Sequence, residues 1–145
     1  MTNNPSYAEN LQQNSKRPHK MKTVSFLIEK VEGGYTAYAQ DYSILAEGDT
    51  LEETYKDATE AFEDQCEYLN ESPNDYRIEF KYDLPTLFEV YKIVNVAALA
   101  ERLNMNNSLI SQYVTGKKEP SAKQKLRIEQ GLHEFARELL KFSFA

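Results

Sequence analysis

Residues 96–115, VAALAERLNMNNSLISQYVT, decide how this chain is read. Two short amphipathic segments meet there at a polar break. Leu99 and Leu103 stand four apart and form the inner face of a first helix. Ala100 is small enough to let a second helix cross closely. Asn104 holds the break, and asparagine enters positive φ more readily than other non-glycine residues. Met105 plugs the turn. Ile110, with Tyr113 or Val114, faces inward from the second helix. Apolar residues where two helices face, a small one where they touch, and a turn residue that tolerates left-handed geometry together spell a helix-turn-helix.

The outward face of the second helix is Asn106, Asn107, Ser108, Ser111, Gln112 and Thr115. These side chains are short, uncharged and rich in donors and acceptors. They suit base edges in a DNA major groove, asparagine and glutamine pairing especially well with adenine. Read alone, that face is equally an ordinary polar surface; the inward pattern favours DNA. Gly116 caps the helix. Lys117 and Lys118 follow where a phosphate backbone would pass, and Lys123 joins them as a candidate phosphate contact. Lys125 and Arg127 add positive charge. Ser121 caps a last helix with Gln124 as its reciprocal partner. That helix carries Ile128, Leu132, Phe135, Leu139 and Phe142, a seam able to pack on the domain or on a partner helix. One helix-turn-helix reads few bases, so a homodimer or higher homo-oligomer on two-fold operator DNA is expected.

Working back towards the N-terminus, the periodicity changes. Val24, Phe26 and Ile28 alternate with polar residues as a strand. Gly33-Gly34 turns the chain into a second strand over 35–40, and 44–47 makes a short third. Thr50 with Glu53 forms a capping box that opens a helix. Its apolar face is Leu51, Tyr55, Ala58, Phe62, Cys66 and Leu69; its other face is acidic, with Asp57, Glu60, Glu63, Asp64 and Glu67. After Ser72-Pro73, Tyr76, Ile78, Phe80 and Tyr82 alternate as a fourth strand. The expected fold is α+β: a disordered leader over 1–20, a β-β-β-α-β domain over 21–82, and an all-α helix-turn-helix domain over 83–145, whose first helix starts at Pro85. Lys16, Arg17, His19 and Lys20 close the leader as a basic cluster, read as a solvated tail.

The net charge is −6, but its distribution matters more. Residues 21–82 hold 5 Lys/Arg and 15 Asp/Glu, a net of −10; residues 92–127 hold 7 Lys/Arg and 2 Asp/Glu, a net of +5. The split suggests a basic partner for the first half and a polyanion for the second. No apolar run is long enough to span a membrane and no secretory signal core is visible, so a cytoplasmic location is expected. A single cysteine excludes an intramolecular disulfide.

The stretches Ala97-Ala98-Leu99-Ala100-Glu101-Arg102-Leu103, Ser108-Leu109-Ile110-Ser111-Gln112-Tyr113 and Gly116-Lys117-Lys118-Glu119-Pro120-Ser121 resemble the repressor-like (XRE/Cro-type) domains of phage and plasmid regulators. Gly33-Gly34-Tyr35 with Ala37, and Gly48-Asp49-Thr50-Leu51-Glu52-Glu53 leading into Ala58 and Ala61, resemble a HicB-type antitoxin domain. The two likenesses together span about 120 residues. They imply a partial, inactive ribonuclease H-like domain that blocks a small basic mRNA-cleaving toxin of the HicA type, and a second domain that represses the operon. Individual toxin contacts are not matched, so Asp57, Glu60, Glu63, Asp64 and Glu67 stand as a candidate surface only.

Two other readings remain open. One keeps DNA binding but gives the N-terminal domain a small molecule to sense, or dimerisation alone. The other is a nuclease, for which Asp41, Glu47 and Asp49 lie near strand ends without a second cluster to join them. His19 and His133 have no evident nucleophile partner, and Cys66 lies on an apolar stripe as a core thiol would. No enzyme activity, cofactor or metal is expected.

Overall fold

The computed structural model describes residues 20–145; the leader, apart from Lys20, lies outside them. The chain is α+β, with a four-stranded mixed sheet and five helices. It divides into two compact units, one ending at Lys81 and one spanning Tyr82–Ala145.

The N-terminal unit runs β1 (Lys22–Val31), β2 (Gly34–Ala39), β3 (Ile44–Gly48), α1 (Leu51–Tyr68) and β4 (Tyr76–Tyr82). The sheet order is β3-β2-β1-β4. β1 and β3 both pair with β2 antiparallel, so the mixed character belongs to the β1–β4 pair. The sequence alternation holds: Val24, Phe26 and Ile28 are buried, as are Ala37, Ala39, Ile44 and Ala46. α1 lies over β3 and β2, where the sheet offers alanines and the helix offers Ala58. Small residues there let the backbones approach, while Phe26, Phe62 and Cys66 supply bulk. Tyr42 and Tyr76 both meet the Phe62 ring edge-on, at 5.4 and 5.0 Å between centroids.

The start of α1 matches the capping box. The Thr50 side chain accepts from Glu53 N at 3.2 Å, and Glu53 Oε2 accepts from Thr50 N at 3.3 Å and Asp49 N at 3.0 Å. Thr54 is fully buried, its hydroxyl donating to the Thr50 carbonyl at 2.8 Å. Leu69, expected on the apolar face, instead caps the helix and is exposed. The chain then leaves through Asn70 at φ 55°, with Glu71 N bonded to the Cys66 carbonyl and Asn70 N to that of Glu67. That double bond is a Schellman ending. Burial pushes the Cys66 thiol above its ordinary pKa, with Glu71 and Glu63 adding to the effect, as suits an inert core thiol.

The second unit comprises α2 (Leu84–Val90), α3 (Val96–Arg102), α4 (Asn107–Val114) and α5 (Ala122–Leu139). Helix does not run on from α2 to α3: Tyr91 caps the first and Asn95 the second, with turns between. Phe88, Leu99, Ala100, Ile110, Tyr113 and Ile128 form the core. Among the described residues, no helix is long and apolar enough to cross a membrane.

Candidate nucleic-acid interface

α3 and α4 are joined by a turn that backbone chemistry fixes. Asn104 sits at φ 52°. Met105 N donates to the Ala100 carbonyl at 2.8 Å and Asn104 N to that of Glu101 at 3.0 Å. This Schellman pair leaves later carbonyls without a helical partner. Arg127, reaching over from α5, donates through Nη2 to the carbonyls of Leu103 and Asn104. The sequence reading counted Arg127 only as positive charge; here it clamps the turn.

The inner faces close as the sequence pattern requires. Leu99, Ala100, Ile110 and Tyr113 are buried, while Leu103, Met105 and Val114 are half-buried around them. Tyr113 rather than Val114 is the deeper inward residue. A further contact escaped the sequence reading. A Cβ on Gly131 would come within 2.2 Å of Leu103 Cδ2, so α5 crosses the turn through a glycine. Pro120 is also buried.

With that packing, Asn106, Asn107, Ser108, Ser111, Gln112 and Thr115 are all exposed. They are not equally available. Asn106 caps α4, its side-chain oxygen accepting from Ser108 N at 2.8 Å and Leu109 N at 3.4 Å. The Thr115 hydroxyl donates to the Ser111 carbonyl at 2.9 Å. Asn107, Ser108, Ser111 and Gln112 are left with the freest outward chemistry. Gly116, at φ 75°, ends the helix, and Lys118 N then donates to the Gln112 carbonyl at 3.2 Å. That bond folds the Lys117-Lys118 segment back against the end of α4, so amides, hydroxyls and ammonium groups share one rigid body. Lys123 is exposed on the first turn of α5. Lys125 is drawn off by Glu119 at 2.6 Å, which leaves Lys117, Lys118 and Lys123 as the cations without an ion pair around α4, among the described residues.

Of the acidic α1 residues, Asp57, Glu60, Glu63, Asp64 and Glu67 are all exposed, but two are engaged. Asp57 Oδ2 accepts from the backbone N of Glu47 at 2.9 Å, tying α1 to β3. Glu60 lies 3.8 Å from Lys56. Among the described residues, no group of three His, Cys, Asp or Glu side chains is gathered as metal ligands. Comparison of the chain with protein families, curated proteins and solved structures found no match.

Proposed function

We propose that this chain is a regulatory antitoxin of the HicB type. Its C-terminal unit reads operator DNA as a homodimer, and its N-terminal unit, partially ribonuclease H-like, neutralises a small basic mRNA-cleaving toxin of the HicA type. On this reading the protein is a cytoplasmic repressor and not an enzyme. The observation that carries the proposal is the outward face of α4. Asn107, Ser108, Ser111 and Gln112 project from a helix whose opposite side is locked by Leu99, Ala100, Ile110 and Tyr113. Uncharged donors and acceptors on a rigid helix read bases, and the lysines beside them meet phosphates. The net −10 over residues 21–82 supports a basic partner for the other unit and argues against that unit touching DNA.

The test is enrichment from a randomised duplex library by the full chain, followed by titration of the enriched duplex. Gln112→Ala and Asn107→Ala should relax sequence preference, each removing a base-edge interaction of about 1–3 kcal/mol. Lys117→Ala should weaken all duplexes alike. If no sequence is enriched, or if these variants bind every duplex as the wild type does, α4 is not a reading helix. For the toxin arm, co-expression should rescue growth from a small basic protein encoded beside this chain; a failure to rescue would remove the antitoxin reading and leave the DNA reading standing.

A further inference from the structure

One face of the N-terminal sheet is covered by α1. A sheet with one solvated face ordinarily alternates apolar inward and polar outward. β1, β2 and β3 break that rule together in one row. The register sets Leu27 opposite Tyr38, and Tyr38 opposite Leu45. These three lie at the opposite parity to the buried Ile28, Ala37 and Ala46, and are 39%, 44% and 60% exposed. Val31, on the same face of β1, is 41% exposed. The neighbouring row of that face, aligned by the same pairing, is Glu29, Thr36 and Glu47. An apolar row therefore lies directly beside an acidic one, on a sheet that needs no ordering to present either.

We infer that this outer sheet face is the surface on which a basic protein docks, seating an apolar contact on Leu27, Tyr38 and Leu45 and lysine or arginine side chains on Glu29 and Glu47. Contiguous exposed apolar surface marks interaction sites on soluble domains. The charge chooses the occupant. A second copy would bring another −10 against the −10 of residues 21–82, and a nucleic acid would be repelled, whereas a cationic protein is attracted. The acidic side of α1 complements this face and does not replace it. Apart from Tyr68 at its last turn, that side offers carboxylates in full contact with water, and such charges steer encounters more than they hold a complex. The sheet face adds the apolar contact that holding requires.

This inference rests on the reading that the N-terminal unit has a basic protein partner, and the test separates the two. The full chain is expressed in the cells its gene comes from, with a photoreactive p-benzoylphenylalanine in place of Leu45 or, separately, of Glu63. Adducts are identified by mass spectrometry, and the captured protein is purified and titrated against variants of this chain. The inference expects an adduct at position 45 with a cationic protein. Its affinity should fall more than about tenfold with Leu45→Arg or Tyr38→Ser and should change little with Glu63→Gln or Asp64→Asn. All four residues are solvent-exposed, so the thermal midpoint checks that each variant folds. An adduct only at position 63 overturns the docking face and leaves the basic partner intact. An adduct at position 45 with this same chain, within one molecule or between two, overturns it as well. No adduct at either position removes both the face and the partner.

Discussion

Single residues hold the turn between α3 and α4, and their chemistry makes the turn testable. Asn104 has φ 52°, where a side chain branched at Cβ is strained. Asn104→Gly should leave the melting temperature near that of the wild type, while Asn104→Val should lose about 1–2 kcal/mol. Arg127→Ala removes the donor that satisfies the Leu103 and Asn104 carbonyls and should lose about 1 kcal/mol of stability. Arg127→Lys should recover only part of this, because an ammonium lacks the forked geometry. Two glycines separate backbone crowding from side-chain crowding. A Cβ on Gly34 would stand 2.3 Å from the Gly48 carbonyl oxygen, a backbone atom that cannot step aside, whereas a Cβ on Gly131 meets only the tip of Leu103. In thermal unfolding Gly34→Ala should lose about 3 kcal/mol. Gly131→Ala should fall within about 1 kcal/mol of the wild type, since the helix propensity gained offsets the shift of Leu103. The turn asparagine was legible from the sequence because positive φ is a local preference. Arg127 and Gly131 were not, because their partners at Leu103 lie more than twenty residues away in the chain.

At the scale of elements, the ends of the helices matter as much as their faces. Asn106 starts α4 by accepting from two backbone amides, so Asn106→Ala should cost about 1 kcal/mol of stability and weaken all duplexes alike. Gln112→Ala, which touches no cap, should alter sequence preference instead. The outward stripe of α4 was readable from spacing alone, but which of its members spends its hydrogen bonds on the helix itself was not. α3 and α5 are joined by Arg102 and Glu138, bound through both guanidinium nitrogens. The Arg102 guanidinium holds the Glu138 carboxyl below its ordinary pKa of 4.5. A carboxyl depressed on folding stabilises the fold at pH above its unfolded value, and that contribution is lost as pH falls through the folded one. The thermal midpoint of the wild type should therefore exceed that of Glu138→Gln at pH 7, and the gap should close as pH drops below 4.5. Because the pair is exposed, high salt should narrow the gap at every pH. Tyr76 titrates in the opposite sense. Its phenol, which donates to Glu71 and lies by Tyr42, is held above its ordinary value, so its contribution is lost only as the solution becomes strongly alkaline.

Over the whole molecule, charge and apolar surface are unevenly placed. Residues 21–82 carry −10 and residues 92–127 carry +5. Duplex affinity should therefore fall steeply with salt, and Lys117→Ala should flatten the slope of log affinity against log salt by about one, the counterion that its phosphate no longer releases. The seam of α5 is buried at Ile128, but from His133 to the end of the helix every residue is exposed, including Phe135 and Leu139, with Phe142 beyond. If the DNA-reading form is a homodimer built on this overhang, Leu139→Glu with Phe142→Glu should sediment as a monomer, keep its helical content and lose affinity for a two-fold site. An unchanged sedimentation coefficient would place the dimer contact elsewhere. By itself, the sequence determined the periodicities, the caps and the division of charge, because each depends on neighbours within one or two turns of the chain. It thus specified an α+β protein and the polar stripe after Asn104. The tertiary structure alone decided that Arg127 clamps the turn, that Asp57 ties its helix to β3, and that Leu27, Tyr38 and Leu45 align in one open row. Those facts depend on strand register and helix crossing, which bring together residues that no local spacing relates.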